Sequence, residues 1–240
     1  MKDDISNVYS RLPKKYLDDK NKDKNPNYNK HLIKDPVNFR ALIIGGSGSG
    51  KTQWLIELLK RMSDTYYHLY LICPNQDQVL YKYLRDSLGE NMTCYKNVNE
   101  LPPHKELEPA LKPKMVIFDD LISVDKKQLK IISDFFIGGR HSKCAMCFLS
   151  QSFYDVPKII RLNATNIVIR QVGSSRDLPQ IIKTYSIKDI NKRILQDMYN
   201  YSTMGDDPNC FHINLNEPKQ MYRRNFLEIL NPSDFGYYED

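Results

Sequence analysis

Apolar residues fall along this chain in two alternating patterns. Short segments built on unbroken apolar cores occupy residues 41–44, 68–73, 114–121, 145–150 and 166–171, and glycine, proline or polar residues bound each core. Runs of that length without alternation predict strands buried on both faces. Between them, apolar positions recur at helical spacing. Trp54, Leu55, Leu58, Leu59 and Met62 mark a helix over 53–62. Val79, Leu80, Tyr83, Leu84 and Leu88 mark another over 78–88, and Leu129, Ile132, Phe135 and Phe136 a third over 125–137. Further helices are predicted over 156–162, 177–185 and 187–201, a short strand over 92–95, and a terminal strand pair over 211–215 and 222–226. Residues 97–114 carry Pro102, Pro103, Pro109 and Pro113 and read as a loop. Helices alternating with continuous apolar strands predict an α/β fold: a mainly parallel sheet covered by helices on both faces, with a small C-terminal strand pair.

The ends of the chain read differently. Residues 1–36 are rich in Lys, Asp and Asn and follow neither period, so a flexible polar arm is expected there, whether a passive terminus or an assembly or nucleic-acid arm. One domain is expected over residues 37–230, and a short tail over 231–240. The formal net charge of +6 suits either a polyanionic partner or an ordinary basic surface. Of the five cysteines, Cys73, Cys144 and Cys147 sit in apolar runs and read as reduced strand residues. Cys144 and Cys147 form C-x-x-C, but three residues apart on a strand they face opposite sides, and no second pair follows; no metal cluster is expected. The sequence shows neither a signal peptide nor an apolar stretch near the ~20 residues a membrane span needs, so a soluble intracellular protein without a transmembrane segment is expected.

Chemistry enters at residues 39–52, FRALIIGGSGSGKT. The spacing of Gly45 to Gly50, Lys51 and Thr52 matches G-x-x-x-x-G-K-[ST], between a strand and an amphipathic helix, as a phosphate-binding loop requires. Through Gly45, Gly46, Ser47, Gly48, Ser49 and Gly50 the backbone can bend its N–H groups onto phosphate oxygens. The following helix points its positive end at the same anion. Lys51 supplies a charge for the β- and γ-phosphates, and the Thr52 hydroxyl can ligate Mg²⁺. A nucleoside triphosphate and Mg²⁺ are therefore expected here, ATP being the nucleotide that the resemblance given below implies. In an open parallel sheet ligands bind at the carboxyl ends of the strands, where Asp119, Asp120 and Gln151 also fall. Asp119, after four apolar residues, is placed to hold the metal, and Asp120 to orient or deprotonate an attacking water. The bland reading of the acid pair is a strand-end turn or helix cap. Gln151 is placed to report the γ-phosphate, or to hydrogen-bond a loop.

The combination GGSGSGKT, VIFDDL and GRHSKCAMCFLSQSFYDVP resembles the FtsK/HerA superfamily of pumping ATPases and, within it, the genome-packaging ATPases of poxviruses, other large DNA viruses and virophages. The resemblance covers residues 38–185. It implies a RecA-like P-loop core of the additional-strand (ASCE) type, with the catalytic strand between the phosphate-loop strand and its neighbours. It also implies a pentameric or hexameric ring of identical subunits with ATP at each junction and double-stranded DNA through the centre, packaging a viral genome. By the same resemblance Gln151 is the sensor residue and Arg140 a candidate arginine finger for a neighbour's nucleotide, with Arg161 and Arg176 as fallbacks; a local salt bridge or helix-end charge is the plainer reading of Arg140. Capsid-vertex or membrane proteins are implied as docking partners, and the host cytoplasm, viral factory or virion as the setting. One departure stands out: pumping ATPases commonly place Glu after the metal Asp, where this chain has Asp120, an arm shorter by one methylene, roughly 1.5 Å.

Lys126, Lys127, Lys130 and Lys143, and the pair Arg223 and Arg224, either grip DNA phosphates or form solvated surface. The main alternative to a motor is a clamp, partition or assembly ATPase that binds nucleic acid without pumping. A GTPase-like switch is disfavoured, because no N-K-x-D follows Asp119 and Asp120. A small-molecule kinase would want an arginine-rich lid over its phosphates.

Overall fold

The computed structural model describes residues 32–110, 112–121, 124–171, 176–185, 190–205, 208–217 and 221–235. Most of the arm expected at residues 1–36 thus lies outside the described residues, as does the end of the tail. Leu32 and Ile33, which the sequence assigned to the arm, are instead buried in the core. At the other end Phe235 packs against Tyr201, so residues 232–235 of the expected tail also belong to the folded unit.

The described strands form one sheet in the order β3-β2-β4-β5-β1-β6-β7-β8-β9. Six strands are parallel: β1 (Arg40–Ile44), β2 (His68–Ile72), β3 (Met92–Tyr95), β4 (Lys114–Phe118), β5 (Cys144–Ser150) and β6 (Asn166–Ile169). The expected terminal pair, β7 (Phe211–Asn214) and β8 (Tyr222–Arg224), extends the same sheet antiparallel. A third short strand, β9 (Glu228–Ile229), finishes that edge. Two residues are too few to leave a periodic signal, which is why the sequence showed only a pair.

The unbroken apolar runs divide their side chains between two cores, as the two-residue period of a strand requires. In β1, Leu42 and Ile44 join the core beneath α3 (Lys126–Gly138), α4 (Lys158–Asn163), α5 (Asp177–Tyr185) and α6 (Lys192–Thr203). Ala41 and Ile43 face the other way, toward α1 (Lys51–Arg61) and α2 (Val79–Leu88). Cys144 and Cys147 separate in the same manner, one into each core. Each helix is amphipathic because only its sheet-facing stripe is covered; in α1 that stripe is Trp54, Leu55 and Leu58. α3 begins at a capping box in which Asp125 accepts from the Gln128 backbone and Gln128 reaches back to the Asp125 N–H, satisfying donors that helix geometry leaves open.

For function the decisive feature is strand order. β5 lies between β1, which leads into the glycine-rich loop, and β4, which ends in the two acids. The carboxyl ends of these three strands therefore open side by side.

Candidate nucleotide-binding site

The loop after β1 is held by its neighbours' backbones. Gly45 N–H donates to the Ser150 carbonyl at 3.1 Å and Gly46 N–H to the Gln171 carbonyl at 3.1 Å, so the loop is tied to the ends of both flanking strands. Gly45 tolerates no side chain: a Cβ there would stand 2.5 Å from Ser49 Oγ and 2.6 Å from Arg170 Cβ. Gly50 caps α1 at φ 86°, a left-handed conformation that costs glycine little. No side chain caps this helix start, so its backbone N–H groups face the cleft.

Lys51 curls back over the loop, its Nζ donating to the Gly45 carbonyl at 2.7 Å and the Gly46 carbonyl at 2.9 Å. Burial pushes its ammonium below the ordinary lysine range, while the nearby Asp119 and Asp120 work the other way. Asp119 is buried, and burial likewise lifts its carboxyl above the ordinary range, against the hydrogen bond from Tyr81 and the attraction of Lys51. Each charge is thus poorly solvated where it stands. A polyphosphate relieves the first strain and a cation the second. The donor set fits a hard cation: the hydroxyl of Thr52 and the carboxylate of Asp119, both oxygen ligands. Asp120 follows at φ 55°, a left-handed backbone seldom taken by residues other than glycine, asparagine and aspartate.

These groups line one cleft of about 820 Å³, whose wall includes Lys51, Thr52, Asp119, Asp120 and Gln151. Gln151 sits just past β5 with its side chain exposed. The turn behind it is fixed by Asp177, fully buried at the start of α5. Its Oδ1 accepts from Ser152 Oγ at 3.0 Å, Phe153 N at 3.1 Å and Tyr154 N at 3.2 Å.

Arg140 is not brought to this cleft. It lies in the turn Gly139–Ser142 ahead of β5, near Arg40 at the start of β1, and is separated from the loop by the full length of the sheet. Seven strand residues span about 23 Å at ~3.3 Å each. The glycines before it are demanded by packing: a Cβ on Gly138 would stand 2.7 Å from His104 Nε2, and one on Gly139 3.0 Å from Met146 Sδ. The fallback Arg161 lies over the Phe153 ring at 5.2 Å.

The basic groups do not form one patch. Lys126, Lys127 and Lys130 are exposed along the first half of α3, whereas Lys143 follows the far end of that helix, about 20 Å away by helical rise. Arg223 is buried and donates to the Phe226 carbonyl, and Arg224 lies over Tyr201 beside Glu228. That engagement corrects the DNA-gripping reading of the pair: both hold the antiparallel edge together.

Three site residues escaped sequence reasoning: Tyr81, Arg170 and Asp177. Tyr81 donates to the Asp119 carboxylate. Arg170, buried at the end of β6, donates through Nε and Nη2 to the Ser49 carbonyl, bracing the loop from behind. A polar residue ending an apolar strand run was the available signal for Arg170. Tyr81 carried none: the apolar spacing marked Val79, Leu80, Tyr83, Leu84 and Leu88 as the covered face of α2, whereas Val79, Leu80 and Tyr83 are exposed and Tyr81 turns inward.

A family model described as Poxvirus A32 protein matches residues 25–205. The chain belongs to that family. Among curated relatives, the DNA packaging protein OPG160 of Variola virus and that of Vaccinia virus (strain Western Reserve) are each 27% identical over 176 residues, 69% of this chain and 64% of theirs. The chain thus spans just under two thirds of the relatives it matches. Among solved structures it is similar to B204, the DNA-packaging ATPase of Sulfolobus Turreted Icosahedral Virus, at TM-score 0.54 and 15% identity, covering 78% of this chain and 97% of that one. It is also similar to ATPases 2 and 3 of EssC from Geobacillus thermodenitrificans, at TM-score 0.50 and 11% identity, covering 84% and 41%. At those identities the likeness is one of fold: this A32-family chain has the architecture of P-loop packaging and secretion ATPases.

Proposed function

We propose that this chain is an ATP-hydrolysing motor that moves double-stranded DNA in the packaging of a viral genome. One observation carries the reading: strand order sets the phosphate loop, Asp119, Asp120 and Gln151 around a single cleft. The relatives' description as DNA packaging proteins supports the choice of DNA as the moved polymer.

In this reading Gly45, Gly46, Ser47, Gly48, Ser49 and Gly50 cradle the phosphates, and Lys51 leaves its two carbonyl partners for the β- and γ-phosphates. Thr52 and Asp119 hold Mg²⁺, which when bound screens charge on the phosphates. Asp120 orients the attacking water and draws off its proton, and Gln151 senses the γ-phosphate. Arg140, at the opposite pole of its own subunit, serves the nucleotide of the next one, so that activity requires a pentameric or hexameric ring. An arginine supplied this way is worth ~10³-fold or more in rate in other NTPases. The exposed lysines of α3 grip DNA phosphates without reading sequence. The polar arm, capsid-vertex or membrane docking partners, and a setting in the host cytoplasm, viral factory or virion complete the proposal. No helix among the described residues is long and apolar enough to cross a membrane.

The test is steady-state ATP hydrolysis with and without duplex DNA. Stimulation by DNA is the expected result. A strong GTP preference with no response to DNA would overturn the motor reading.

A further inference from the structure

α2 turns one face to the sheet. Tyr81 and Leu84 are buried, while Val79 and Tyr83 on its outer side are exposed. Tyr81 is 1% exposed, and its hydroxyl donates to Asp119 Oδ2. Asp119 follows β4 whereas Tyr81 belongs to α2, so this one hydrogen bond ties that helix to the strand end. Packing alone does not call for a tyrosine here. Phenylalanine would fill almost the same volume, and a buried hydroxyl is retained at a cost unless it has partners. The partner it has is the carboxylate assigned above to the divalent cation.

We propose that Tyr81 is a positioning residue that holds the Asp119 carboxylate in the orientation a hard divalent cation requires. The inference rests on the Mg²⁺-nucleotide reading of the site. A carboxylate turns broadly about its last torsion, so an unanchored Asp119 must be ordered each time the cation arrives. With one oxygen held by a phenol that is itself immobilised in the core, that ordering is already complete. Groups that orient metal ligands in this way are commonly worth 10–100-fold in metal affinity. α2 therefore takes part in the site through one buried oxygen.

The test is Mg²⁺-dependent binding of a fluorescent, non-hydrolysable ATP analogue, followed as a Mg²⁺ titration at fixed nucleotide. Tyr81→Phe should raise the Mg²⁺ midpoint about 10-fold or more, while Mg²⁺-free nucleotide binding changes less than twofold. Asp119→Asn and Tyr81→Phe should combine less than additively, because Tyr81 acts through the Asp119 carboxylate. A folded Tyr81→Phe chain with the wild-type midpoint would overturn the proposal and leave the nucleotide reading standing. A wild-type chain with no Mg²⁺-dependent step would overturn both. Should Tyr81→Phe fail to fold, 3-fluorotyrosine placed at position 81 keeps ring and hydroxyl. Its ¹⁹F resonance should move on adding Mg²⁺ to the nucleotide complex, and a resonance indifferent to Mg²⁺ would overturn the proposal.

Discussion

Arg170 Nε and Nη2 both point at one acceptor, the carbonyl oxygen of Ser49, at 2.7 and 2.5 Å. A buried guanidinium thus braces the phosphate loop from the strand next to β1. Burial holds it below the ordinary arginine range. Removing the fork in Arg170→Met should cost about 2 kcal/mol of stability, as for other hydrogen bonds to charged groups, and weaken ATP binding by about 10-fold. Arg170→Lys keeps the charge without the fork and should fall between. Chemical denaturation and nucleotide titration check both.

Asp177 holds the turn after Gln151 by accepting three hydrogen bonds at one oxygen. Asp177→Ala strands those donors and should destabilise the chain by about 2–4 kcal/mol. Asp177→Asn, which retains an acceptor, should fold and bind ATP normally but lower kcat, because Gln151 is less firmly placed. A kcat unchanged in Asp177→Asn would separate the turn from the chemistry.

Lys51 and Arg140 stand at opposite poles and should fail differently. Lys51→Ala should lose nucleotide binding and hydrolysis together. Arg140→Ala should retain binding while hydrolysis falls by ~10³-fold. Mixing the two inactive chains should restore part of the rate, since a junction can pair an intact loop from one with an intact arginine from the other. Strictly monomeric chains under all conditions would contradict this outcome.

His212 is buried against Trp54, with Nε2 at 2.8 Å from Asn166 Oδ1. Burial first, and the neighbouring Arg223 second, lower its pKa to about 3. The unfolded chain keeps the ordinary value of 6.5 and so binds the proton more readily. Stability is therefore complete above pH ~6.5 and falls as pH drops toward ~3, by an amount on the order of a few kcal/mol. Urea melts between pH 7.5 and 4 should show this slope, and His212→Gln should flatten it.

The parts legible in the sequence were those written locally. The loop is a contiguous motif, the acids follow an apolar strand, and strand and helix periods each leave marks within ten or so residues. Tyr81, Arg170 and Asp177 were not legible, because their partners lie 38, 121 and about 24 residues away and only the folded sheet pairs them. The same reasoning misgrouped Lys143 with the α3 lysines, since a helix end stands between neighbours in sequence. It also set the N-terminal boundary too late, because Leu32 and Ile33 are two apolar residues in a polar stretch, too few for a period.

The left-handed backbone of Asp120 restricts which acids this position can hold. Aspartate and asparagine enter that conformation comparatively easily, whereas a longer side chain carries a penalty of roughly 1 kcal/mol or more. Glutamate, common after the metal acid in pumping ATPases, would here have to move the peptide as well as extend the arm. The short acid and the left-handed backbone at Asp120 thus go together, and a swap to glutamate calls for a second change in the backbone at that position.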